Sequence, residues 1–119
     1  NGRSRGLGDV YKRQNQNIWE LDFFSLDSFI NLNDIKLQPS KLSGTGEIYL
    51  GSNLEIEKLS LSGNYEVTVS KDLSILVKGQ ATVPNKWLDA SVGKLNYPDK
   101  TYTVIIEIID GSQVIFKDG

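Results

Sequence analysis

Cysteine and histidine are both absent from the chain of 119 residues. Without cysteine there are no disulfides, thiolate nucleophiles or Cys-based zinc sites. Without histidine the usual general base near neutral pH and the commonest metal ligand are missing. A carboxylate, Lys or Tyr enzyme stays open in principle. The expectation is a protein that is not an enzyme, with no catalytic residues, cofactor or metal. Long apolar runs are missing too: nothing approaches the about 18 residues of a membrane-spanning helix. Hydrophobic residues make up 39% and charged residues 24%, which fits a folded domain and argues against disorder. The length admits one domain or part of one.

Arginine is absent beyond residue 13. The arginines before it belong to a peculiar stretch. Residues 4–14, Ser-Arg-Gly-Leu-Gly-Asp-Val-Tyr-Lys-Arg-Gln, resemble the in-frame translation of a transposase-type sequencing adapter. Residues 1–14 are therefore expected to be a non-native leader, disordered or irregular. Residues 15–119 are expected to be a single β-rich domain fragment. It would be truncated at its N-terminus, and the abrupt Asp118-Gly119 end admits truncation there as well. On this reading Gly6-Leu7-Gly8 is no phosphate loop. The whole chain has 13 basic and 15 acidic residues; the leader holds Arg3, Arg5, Lys12 and Arg13 against Asp9. Removing those leaves nine lysines and fourteen acids, a net charge of −5. An acidic domain without arginine lacks the basic footprint of nucleic-acid binding and any bidentate phosphate site.

What is present is alternation. From Leu42 onward apolar side chains recur every second residue: Ile48 and Leu50, Leu54 and Ile56, Leu59 and Leu61, then Tyr65, Val67 and Val69. That is the strand period. The phase slips between Ile56 and Leu59, which calls for a bulge or a break near Glu57-Lys58. Leu73, Ile75 and Val77 continue the pattern, and Ile18 to Phe24 reads as a further strand. Gly51-Ser52-Asn53, Gly63-Asn64 and Lys71-Asp72 are turn signals at short intervals. The predicted fold is mainly β: an antiparallel meander of short strands, a curved sheet or half-open sandwich with one or two short helices. Asp110-Gly111 predicts a tight terminal hairpin with Ile106 opposite Ile115. The two helical candidates are Ser25 to Ile30, with Leu26, Phe29 and Ile30 at helical spacing, and the segment from Pro84 through Trp87 and Leu88.

No carboxylate pair stands out among Glu47, Glu55, Glu57, Glu66, Asp72, Asp89, Asp99, Glu107 and Asp110, which read as solvated faces and turns. No calcium loop pattern exists. Gly44-Thr45-Gly46 lacks the third glycine and the helix of a nucleotide loop and reads as a bulge or strand start. Trp19 and Trp87 read as core packing at sheet ends. Lys86 and Lys94 are too few for an anionic-lipid patch.

The runs Ile30-Asn31-Leu32-Asn33-Asp34-Ile35-Lys36-Leu37, Leu42-Ser43-Gly44-Thr45-Gly46-Glu47-Ile48-Tyr49-Leu50 and Leu54-Glu55-Ile56-Glu57-Lys58-Leu59-Ser60-Leu61-Ser62-Gly63 resemble the AsmA-like proteins of Gram-negative envelopes, including the TamB-type families. The resemblance spans about residues 29–83. It implies a long curved sheet with an apolar concave face, an N-terminal membrane anchor on the periplasmic side of the inner membrane, and a part in lipid transport or outer-membrane assembly. The row Ile48, Leu50, Leu54, Ile56, Leu59, Leu61, Tyr65, Val67 and Val69 would then contact phospholipid acyl chains. The alternative is an extracytoplasmic β-sandwich module for adhesion or carbohydrate binding. A small carboxylate-dependent enzyme is the third class. No nucleic-acid partner is expected.

Overall fold

Alternating apolar residues need a covered face, and the chain provides one by coiling. The computed structural model describes residues 10–15, 18–95 and 102–119. The strands are β1 (Val10–Asn15), β2 (Ile18–Leu32), β3 (Lys36–Leu37), β4 (Ser40–Leu50), β5 (Glu55–Ile56), β6 (Lys58–Val69), β7 (Ile75–Lys78), β8 (Val104–Ile108) and β9 (Gln113–Asp118). β2 pairs with β4, β4 with β6, and β6 with both β8 and β9, all in parallel. The predicted antiparallel meander is therefore wrong. The only antiparallel pair among the described residues joins β1 to the start of β2. The architecture is a parallel β-solenoid.

The coil length is 19 residues. Lys41 lies beside Ser60 and Leu50 beside Val69, a constant offset along the whole β4–β6 ladder. β3 and β5 repeat it, with Leu37 beside Ile56. Equivalent residues consequently stack through the interior. Leu42, Leu61 and Ile108 form one column; Ile30, Ile48, Val67 and Phe116 form another. All seven are buried. Burying a Leu, Ile or Val side chain contributes about 1.5–3 kcal/mol, so these columns drive the coiling.

The expected hairpin turns are coil corners instead. Gly51-Ser52-Asn53 and Lys71-Asp72 turn the chain from one face to the next, and Glu57 is the break between β5 and β6. Gly63-Asn64 lies inside β6 and bends it. The bend stacks on its neighbours: Ser25 sits beside Gly44, and Gly44 beside Gly63. Gly44 has φ +110° and Gly63 φ +125°, a region that β-carbons disfavour.

Ser25 to Ile30 is not a helix; it lies within β2. The pairing to β4 shifts by one residue between Ser25 and Ser28. The extra residue moves the apolar phase and imitates helical spacing. Downstream, Asn85–Leu88 and Ala90–Val92 are short 3-10 turns, and no α-helix occurs among the described residues. Val10–Asn15, at the end of the stretch read as a leader, is a strand; residues 1–9 lie outside the described residues.

The terminal hairpin is corrected as well. Asp110-Gly111 does form a turn, with Ser112 N–H donating to the Ile109 carbonyl at 3.1 Å. β8 and β9 do not pair with each other. They are successive sides of one coil, each parallel to β6. Ile106 is buried while Ile115 is 44% exposed.

This coil is out of sequence order. β8 lies between β6 and β7, and Thr82 bridges the outer side of β9 at Ile115. Side-chain chemistry explains the order. Continuing the 19-residue spacing past Ile75 would put Lys78 and Gln80 at the core positions of Leu59 and Leu61. β8 supplies Ile106 and Ile108 there instead, and β7 is displaced one coil outward.

Candidate functional site

The three coil corners at Asn33-Asp34, Ser52-Asn53 and Lys71-Asp72 stack along one side of the solenoid. Asn53 N–H donates to Asn33 Oδ1 at 3.2 Å, and Asn53 Nδ2 donates to Asp34 Oδ1 at 2.8 Å. Asp34 takes φ +55°, which its short polar side chain tolerates. Asp72 N–H donates to Ser70 Oγ at 3.3 Å. Side-chain amide and carboxylate groups thus tie the first corner to the second, and Ser70 braces the third from within.

A groove of about 920 Å3 runs along these corners. Leu54, Ile56 and Leu73 form its buried floor, and Asp34, Lys36, Ser52, Asn53, Glu55, Glu57, Asp72 and Thr103 form its exposed walls. Four carboxylates face a single lysine, so the groove is rich in hydrogen-bond acceptors. A smaller hollow lies on the next face, bounded by Asp27, Glu47 and Glu66. Glu47 and Glu66 are register partners on adjacent coils. They stand side by side on one sheet surface, not across a cleft as a glycosidase pair would. Glu66 is also engaged by Lys117 Nζ at 2.7 Å, a contact that raises the pKa of the lysine.

The other carboxylates singled out in the sequence are scattered. Glu55, Glu57 and Asp72 meet in the groove; Asp89 and Asp110 are exposed elsewhere. Glu107 accepts from Ser60 Oγ at 3.1 Å and pairs with Lys58 at 3.3 Å, which together hold its carboxyl below the usual range. Asp99 lies outside the described residues. Among those described, no cluster of acids has the makings of a metal site. No helix there is long and apolar enough to cross a membrane.

The nine-residue apolar row is brought together as one surface, and that surface faces inward. Ile48, Leu50, Leu54, Ile56, Leu59, Leu61, Tyr65, Val67 and Val69 are each at most 5% exposed. They pack in one core that also holds Leu42, Ile106 and Phe116. Tyr65 keeps a polar contact there: its hydroxyl and Ser25 Oγ are 3.2 Å apart. Burial raises its pKa, partly offset by that hydrogen bond.

Trp87 and Lys94 form the second notable cluster. Trp87 is fully buried against Phe116, with ring centroids 5.7 Å apart. Its Nε1 donates to Asp118 Oδ1 at 3.0 Å, and Lys86 pairs with the same carboxylate. Lys86 thereby holds the Asp118 carboxyl below its ordinary pKa. Lys94 is 1% exposed. Its Nζ donates to the carbonyls of Ser70, at 3.0 Å, and Leu73, and lies 5.6 Å from the Trp87 ring centroid. Burial pushes the Lys94 pKa down, with Asp118 and Asp72 opposing. Neither lysine joins a surface patch. The sequence reading missed the inward Lys94, and nothing in its neighbours signals it. It also missed the corner ladder, whose signal is the recurrence of Asn and Asp at the coil spacing.

No protein-family model, curated protein or solved structure matches this chain.

Proposed function

We propose that the chain is a non-enzymatic β-solenoid module of the cell envelope that binds a hydroxyl-rich polymer, such as a surface polysaccharide, along its corner groove. The observation that carries this reading is the repetition of the groove. Parallel strands place successive corners about 4.8 Å apart. A linear ligand crossing the coils meets Asp34, then Ser52 and Asn53, then Asp72. Carboxylate and amide oxygens in such a row accept hydrogen bonds from hydroxyls at regular intervals.

The AsmA-like reading, in which the nine-residue row contacts acyl chains, requires the coil to open. Those side chains are satisfied by one another, so the adhesion and carbohydrate-binding alternative takes precedence, with a solenoid in place of the sandwich. Titration of the chain with neutral polysaccharides, followed by calorimetry, tests the proposal. Binding that is lost in Asn53→Ala and Asp34→Ala and kept in Glu47→Gln supports it. Flotation with phospholipid vesicles and no polysaccharide binding would return the lipid reading to first place.

A further inference from the structure

The slot filled by residues 104–119 has two walls that precede it in the chain. One wall is β6. The other is β7 with Thr82. The two walls do not pair with each other anywhere along their length. The inserted arm satisfies both: β8 pairs with β6 on one side and β7 on the other. Thr82 N–H donates to the Val114 carbonyl at 2.9 Å, and Phe116 N–H to the Thr82 carbonyl at 2.8 Å. Val104, Ile106, Ile108, Val114 and Phe116 of the arm are all buried. A slot without its arm would leave two strand edges unpaired and the core open beside Leu59, Leu61 and Val67. Both features attract another strand.

We propose that this slot is a strand-acceptor site, and that the arm of a second copy of the chain exchanges into it. The partner is identified by what the slot demands. It must be a parallel segment with apolar residues at the spacing of Val104, Ile106 and Ile108, then a corner, then Val114 and Phe116. A second copy carries that segment, and every contact made within one chain is reproduced between two. The cost of exchange is then chiefly the entropy of association. The Trp87 cluster closes over the arm through Asp118 and Phe116, so exchange needs that closure to open.

Asn64 and Gln113 are exposed register partners across the β6–β9 ladder. The chain has no cysteine of its own. Asn64→Cys and Gln113→Cys chains, each checked for native circular dichroism, are mixed in mild denaturant, returned to native buffer at high concentration and treated with a short thiol crosslinker. Exchange gives a crosslinked dimer in the mixture, several-fold above either variant alone. The double variant treated in dilute solution crosslinks within one chain. A mixture that yields no more dimer than the single variants overturns the proposal. So does a double variant that fails to crosslink within the chain, because the arm would then not occupy the slot.

Discussion

Gly63 sits directly over Gly44, so close that a β-carbon on Gly63 would come 1.9 Å from the Gly44 carbonyl oxygen. Gly44 repeats the relationship with the Ser25 carbonyl oxygen, also at 1.9 Å. The corner therefore depends on backbone approach as well as on positive φ. Gly63→Ala should destabilise the chain by about 2–4 kcal/mol, combining backbone strain with overlap against a rigid neighbour. Denaturant titration measures it. A loss under about 0.5 kcal/mol, the size of an ordinary surface substitution, would mean that the coils do not stack at this corner.

Gly111 makes a useful contrast. It has φ +88°, and nothing lies within 4 Å of where a β-carbon would stand. Only the backbone conformation is at stake there, so Gly111→Asn should cost a few tenths of a kcal/mol, and Gly111→Val clearly more, about 1–2 kcal/mol. Equal losses for the two variants would show that the corner does not need positive φ.

Much of this was legible in the sequence, and the misreading has a physical cause. Period-two alternation identifies which side chains face inward, and the apolar row from Ile48 to Val69 is buried in one core. Alternation carries no information on strand direction, because parallel and antiparallel strands share it. The turn residues were equally ambiguous: Gly51-Ser52-Asn53 suits a hairpin reversal and a solenoid corner alike. The deciding signal was the repeat. Leu42-Ser43-Gly44 returns as Leu61-Ser62-Gly63, 19 residues later, and Leu54 returns as Leu73. The insertion of β8–β9 ahead of β7 was not legible from any local pattern. It follows from Lys78 and Gln80 being unfit for the core, which matters only once the coil length is known.

Trp87 ties the last coil to the arm. Trp87→Ala should cost about 3–5 kcal/mol through lost packing against Phe116. Trp87→Phe keeps most of the packing and loses the bond to Asp118, so it should cost much less. Thermal unfolding distinguishes them. Equal, small losses would place the indole outside the core.

Lys94 gives stability a dependence on alkaline pH. Its folded pKa lies below the ordinary 10.5. The unfolded chain then binds more protons than the folded one between the two values, so stability rises with pH across that window and is complete above 10.5. Tyr65 acts in the opposite sense. Its folded pKa lies above 10.0, so its contribution is full below 10.0 and is lost as pH rises through the folded value. Denaturation midpoints should therefore climb as pH approaches 10 from below, through the Lys94 window, and fall beyond 10.5 as Tyr65 loses its contribution. Lys94→Met should remove the climb and leave the fall. A climb that survives in Lys94→Met would assign it to another group.

The parallel coil of 19 residues is the claim on which the core, the groove and the acceptor slot all rest. Interstrand nuclear Overhauser effects between β4 and β6 test it most directly. The account predicts contacts at a constant offset, with Lys41 near Ser60, Glu47 near Glu66 and Tyr49 near Thr68. An antiparallel arrangement would instead give pairs of constant sum, with Lys41 near Thr68 and Tyr49 near Ser60, and that result would contradict it.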